Sequence, residues 1–461
     1  MLFNSYSFIF VFLPLTLLVF FTLTKKGLYK AGTASLVVAS LVFYAYWDIR
    51  YLPLLLLSLV FNYSMGSLLE KTQSKGLLFF ALLVDLGLLG YFKYMDFFLR
   101  SWNAAFDTAI PLPGIVLPLG ISFFTFTQIA YIVDAYRGET ENYSFLNYSL
   151  FVTFFPHLIA GPILYHKDMI PQFKRARHFV FSHKNFAFGL TVFALGLFKK
   201  VVIADSLISW VKPVFEQAGS VGFFEAWSGA LAYTFQLYFD FSGYSEMAIG
   251  LGLLLNVRLP LNFDSPYKSL SIIEFWRRWH ITLSAFLKRY LYIPLGGNRY
   301  GQGKKLRNLL ITMLLGGLWH GAGWTYVIWG GLHGLYLVIN HTWQRFGVML
   351  PKGLAWLFTF LAIVFAWVFF RAATVQDALA LVQTMLGFKG IHFAGLQQLV
   401  GGTTEVLVLM ALLLFVVTGP NVREFVSRFR PTWQWAVLVS FVLVVSLLQL
   451  TEVTEFLYFQ F

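Results

Sequence analysis

The 461-residue chain contains no cysteine, which excludes disulfides, thiolate catalysis and cysteine-ligated metal centres. Charge is scarce as well. Asp, Glu, Lys and Arg together make up 12% of the sequence, about half of what a water-soluble domain carries. Acidic residues are the scarcer sign, with 21 Asp and Glu against 34 Lys and Arg and a formal charge of +13. No G-x-S-x-G elbow marks a serine nucleophile. No two histidines sit four apart around an acid, as a zinc-binding helix requires.

What the chain has in excess is apolar surface: 58% of residues are hydrophobic and the mean hydropathy is +0.69. Continuous apolar runs occupy 8–23, 34–47, 52–63, 77–91, 116–132, 186–197, 224–254, 309–318, 324–339, 354–370, 406–417 and 433–448. A span needs about 20 residues, and some runs fall short without their flanks, so the expectation is an all-α polytopic membrane protein with about eleven to thirteen membrane elements, partial ones included. The runs lack the alternation of barrel strands. The first is expected to be a retained helix, because no basic segment or small-residue cleavage site accompanies it. One membrane domain is expected over 1–461, with peripheral helices over 1–100, a core over 111–345 and C-terminal helices over 353–461.

The positive charge does not point to nucleic acid, since no polar, aromatic-interleaved surface accompanies it. It concentrates in "HKDMIPQFKRARHFVFSHK", in Arg299 to Arg307, and at Lys25, Lys26 and Lys30. Basic loops beside spans mark the cytoplasmic side. They would also attract an anionic donor such as coenzyme A or an acidic carrier protein.

The middle of the chain departs from a plain bundle. In "PLPGIVLPLGISFFTFTQIAYIVDAYRG", Pro111, Pro113, Gly114, Pro118 and Gly120 interrupt a would-be span. Broken backbone at membrane depth is tolerated where protein encloses it or it lines a cavity. "YTFQLYFDFSGYSEMAIGLG" embeds Gln236 and Asp240 four apart, and Ser242 and Glu246 four apart, each pair sharing a helix face. Buried carboxylates are site candidates by default, with helix–helix hydrogen bonding as the competing role. In "SPYKSLSIIEFWRRWHITLSAFLKRYLYIPLGGNR", a helix from about Ser271 would align Trp276, His280 and Ser284 and pair Glu274 with Arg278 or Arg277.

The densest glycine and tryptophan segment, "GGLWHGAGWTYVIWGGLHG", carries His320 and His333. A neutral imidazole in a low-dielectric cavity can accept a proton from an alcohol attacking a thioester. His320 is the candidate base, with Trp319 and Trp324 as walls and the glycines admitting a bulky partner. His333 is expected to be a supporting residue on another helical face.

Together "FFPHLIAGPI", "FDFSGYSEMAIGLG", the block from Asn262 to Arg299, "GGLWHGAGWTYVIWGGLHG", "FAWVFFRA" and "FLYFQF" resemble the membrane-bound O-acyltransferase family, and within it the bacterial alginate O-acetyltransferase subgroup. The resemblance implies many helices around a cavity reached from both faces. It also implies His320 as the buried catalytic histidine, and His280 as a second signature position, Asn in many members, that orients acyl group or substrate. No tightly bound cofactor or metal is expected. Acetyl-coenzyme A is the implied donor, in the bacterial inner membrane. The implied partners are an acetyltransferase relay protein, periplasmic or membrane-associated, and the polysaccharide synthesis and export machinery. The alternatives are D-alanyl transfer from a carrier protein to teichoic acid, or acetylation of cellulose or another exopolysaccharide. Glu246 and His157 stand where Asp and Gln are expected in relatives.

Overall fold

In a bilayer, an apolar segment satisfies its backbone only by bonding to itself, which makes each continuous run a helix. The computed structural model describes residues 1–392, 399–427, 432–450 and 457. Each of the twelve apolar runs falls wholly or mostly on helix, and no strand occurs among the described residues. Five helical segments are long and apolar enough to cross a membrane by themselves: Phe8–Lys25, Ile49–Thr72, Lys75–Phe106, His183–Glu216 and Lys352–Arg371. Tyr29–Ala45, Gly402–Thr418 and Trp433–Leu448 are shorter apolar helices. The chain is an all-α, multi-pass membrane protein.

One expected run is divided. Over 116–132 only the part from Ile121 onward is helical, in Ile121–Tyr136. Pro111, Pro113 and Pro118 supply no N–H to a helix ladder. Gly120 then turns at φ +71°, where an added Cβ would lie 2.9 Å from the carbonyl oxygen of Leu158. The "FFPHLIAGPILY" block is broken too: the short Phe155–Leu158 helix gives way to irregular backbone up to His166. Most of that stretch is buried, as enclosed non-helical backbone should be.

The chain forms two compact units: Met1–Leu197 with Tyr244–Leu261 and Arg430–Gln460, and Phe198–Gly243 with Asn262–Phe429. The first is tied by buried polar contacts. Asn62 donates to Asp85 at 2.9 Å, and Gln128 donates to Ser58 and accepts from Tyr148. Helices there approach closely at Gly189 and Gly250, where a Cβ on either would come within 2.7 Å of the other's carbonyl oxygen. Such small-residue contacts bring membrane helices backbone to backbone.

The second unit is organised around a helical hairpin. Gln302–His320 and Trp324–Trp343 are joined by Gly321, Ala322 and Gly323. The arms cross at glycine: a Cβ on Gly317 would sit 2.3 Å from the carbonyl oxygen of Tyr326, and one on Gly330 would sit 2.3 Å from that of Met313.

Candidate active site

The hairpin ends its first arm on His320, whose successor Gly321 is extended. The ring therefore projects from a helix terminus, with Trp319 beside it at 5.1 Å between centroids, Trp329 at 4.9 Å and Phe370 at 5.4 Å. Trp329 comes from the returning arm, one turn before His333, and only the glycine crossing brings it this close. The imidazole is 4% exposed.

His280 reaches the same place by a different device. The helix expected to run from Ser271 through Ser284 is two helices, Ile272–Arg278 and Ile281–Leu287, with Trp279 extended and His280 at φ +43°. The break is stapled by a neighbouring segment. Asp264 donates its backbone N–H to the carbonyl of Arg278, and Ile281 donates to that of Asn262, both at 3.0 Å. Asn262 Oδ1 also accepts from the backbone and hydroxyl of Thr282. A left-handed residue other than glycine costs about 1–2 kcal/mol, and these bonds hold it. The result carries His280 to 6.2 Å from His320, centroid to centroid. Phe241 packs edge-on at 4.8 Å, and Trp319 at 6.3 Å lies against both imidazoles.

The break corrects the alignment of Trp276, His280 and Ser284. Trp276 points instead to His333, donating its indole N–H to Nδ1 at 3.2 Å. Indole nitrogen only donates, so Nδ1 is an acceptor and His333 carries any proton on Nε2. His333 is fully buried, stacks on Phe275 at 5.9 Å and touches Trp329 at 4.9 Å. Its face relative to His320 on one continuous helix does not arise, because the two occupy opposite arms of the hairpin. Ser284 is half-buried, its hydroxyl on the carbonyl of Trp279 at 3.5 Å.

Trp324 is a second correction. It is 57% exposed at the start of the returning arm, and the aromatic wall expected of it is supplied by Trp329, with Trp367 stacked behind at 5.6 Å. Of the polar cluster, Glu274 pairs with Arg278 at 2.9 Å, while Arg277 is exposed. Arg278 also donates to the carbonyl of Asp264 at 3.1 Å. This pair thus braces the break.

Asp240 has a partner that sequence reasoning missed. Lys200, buried in the apolar stretch after Phe198, lies 2.7 Å from Asp240 and 2.7 Å from Asp205. A lysine in such a run is itself a signal, because an uncompensated ammonium is not tolerated there. Gln236, one turn before Asp240, is buried with Oε1 lacking a hydrogen-bond partner among the described residues. The "FLYFQF" block lies outside the described residues apart from Leu457.

The site thus brings two imidazoles together inside an aromatic enclosure, with an ion-paired lysine and aspartate in the same unit. The family model described as "MBOAT, membrane-bound O-acyltransferase family" matches residues 8–375. The chain is 46% identical over 434 residues to a protein of Helicobacter pylori named peptidoglycan O-acetyltransferase, covering 86% of this chain and 82% of that one. A Pseudomonas aeruginosa protein named probable alginate O-acetylase AlgI is 44% identical over 431 residues, covering 90% and 81%. Its Pseudomonas putida namesake is 41% identical over 503, covering the whole of both. A chain matched over most of its length by the family, and 41–46% identical over most of its length to relatives named for O-acetyl transfer, belongs to the membrane-bound O-acyltransferases and is a membrane-bound acyltransferase.

Proposed function

We propose that this acyltransferase moves an acetyl group from a cytoplasmic thioester donor of the coenzyme A kind, for O-acetylation of an exported polysaccharide. The observation that carries the reading is the convergence of His280 and His320 within 6.2 Å inside an aromatic enclosure.

In the proposed reaction, His320 removes the proton from an acceptor hydroxyl as its oxygen attacks the thioester carbonyl carbon. The tetrahedral intermediate collapses with cleavage of the carbon–sulfur bond. The departing thiolate takes the proton back from the imidazolium, leaving ester and free thiol. His280 orients the acyl group. Trp319, Trp329 and Phe370 exclude water, which would otherwise divert the acetyl group to hydrolysis.

Relatives are named peptidoglycan O-acetyltransferase and probable alginate O-acetylase, which supports a polysaccharide hydroxyl as the proposed acceptor class. It is reached directly or through an acetyltransferase partner, from the bacterial inner membrane. The test is acetyl release from radiolabelled acetyl-coenzyme A by the purified membrane protein. General-base removal predicts a loss of roughly 10²–10⁴-fold in His320→Ala, with monodisperse folding retained. Wild-type turnover by that variant would remove His320 from the mechanism.

A further inference from the structure

Within the first unit, the basic segment after His166 does more than decorate a loop. Lys167, Arg175, Arg177 and Arg258 line a recess of about 450 Å³ together with Gln172, His178, Asn185 and Asn256. One carboxylate, Asp168, shares the lining. Lys167 is engaged by Glu139. Arg175, Arg177 and Arg258 form no ion pair among the described residues, so three guanidinium charges are left to one concavity.

The recess is framed rather than incidental. Gln172 donates to the carbonyl of Arg258 at 3.1 Å and accepts its N–H at 2.9 Å, tying the two sides together. Asn256 sits at φ +58°. It donates to the carbonyls of His178 and Val180 and accepts from Asn185 at 2.9 Å. His178 is 2% exposed, yet its Nδ1 has no hydrogen-bond partner among the described residues. Arginines with no ion-pair partner among the described residues, in a recess whose walls are cross-tied by Gln172 and Asn256, offer the charged N–H donors that an oxyanion needs.

We propose that this recess is an anion site that takes a phosphate group, presented by a soluble phosphorylated ligand or by an anionic lipid headgroup. Guanidinium forks match phosphate oxygens in pairs, which favours phosphate over a point-like halide. The inference is independent of the acetyl-transfer reading, because it uses none of the residues placed at His280 and His320.

The test uses the full chain in two arms. Pyrophosphate is titrated calorimetrically into detergent-purified protein, and retained phosphatidylglycerol is counted by native mass spectrometry after extraction from phosphatidylcholine nanodiscs containing it. The variants are Arg175→Gln, Arg258→Gln and the triple Arg175→Gln/Arg177→Gln/Arg258→Gln. Loss of a charge-assisted contact predicts about tenfold weaker binding for each single variant, and binding that weakens as salt rises. Binding of pyrophosphate that fails in the triple variant supports a soluble source. A bound phosphatidylglycerol lost in the triple variant supports a lipid source. Wild-type protein that binds neither probe, or variants that bind both as the wild type does, would overturn the proposal. Should the triple variant not fold, the two single variants decide by the same criteria.

Discussion

Trp276 donates its indole N–H to Nδ1 of His333 at 3.2 Å, locking the tautomer of a fully buried imidazole that packs on Trp329, the wall of His320. Trp276→Phe keeps the aromatic surface and removes the donor, leaving a buried acceptor unsatisfied. The expected cost is about 1–3 kcal/mol of stability, read as a lowered Tm in detergent, with a smaller drop in acetyl release than His320→Ala gives. An unchanged Tm would mean the bond contributes nothing.

Gly317→Ala places a methyl group 2.3 Å from the carbonyl oxygen of Tyr326. Backbone cannot yield as a side chain does, so the hairpin arms must separate at a cost of about 1–3 kcal/mol. Because Trp329 rides on the displaced arm, acetyl release falls together with Tm. Gly303→Ala, which meets nothing within 4 Å, is the control: acetyl release is unchanged and Tm does not fall.

Lys200→Met removes the ammonium that lies 2.7 Å from both Asp240 and Asp205. Removing one partner of a buried ion pair costs about 3–5 kcal/mol, and the yield of monodisperse protein should drop sharply. The double variant Lys200→Met/Asp240→Asn recovers part of it, since the buried charge goes with its partner. No recovery would argue that Lys200 matters for something other than charge balance.

Outside the spans, burial pushes the His178 imidazole down from 6.5 to about 4. The fold holds the ring neutral, so the unfolded chain binds the extra proton first. The stabilising contribution is complete above about pH 6.5 and is lost as pH falls toward 4, amounting to roughly 3 kcal/mol at most. Phe20, Phe173 and Phe179 surround the ring, so His178→Phe fits the space. It should flatten the fall of Tm between about pH 6.5 and 4.5 relative to wild type. Parallel Tm curves for the two proteins would rule this out.

The helices were legible because each apolar run is continuous and the bilayer permits only one backbone solution for it. The blocks singled out His320 and His280, and the fold brings their rings to 6.2 Å of each other. The helix break before His280 was not, because Ser271 to Ser284 has helical spacing and the bonds that interrupt it come from Asn262 and Asp264, whose pairing no local pattern reports. Trp324 stood in for Trp329 for a related reason: after two glycines the direction of the returning arm is open, and sequence proximity to His320 is a poor guide to spatial proximity. Lys200 escaped because a lysine closing an apolar run reads as an interfacial charge until Asp240 is seen against it.

The left-handed backbone at His280 acts as a filter before any chemistry is considered. Among residues other than glycine, Asn, Asp and His enter that region most readily, and β-branched side chains scarcely at all. Asn and His both pass the filter. The turn therefore narrows the alphabet available at residue 280 to short or planar polar side chains. Exchange between them can retune the polarity beside His320 without rebuilding the loop that presents it.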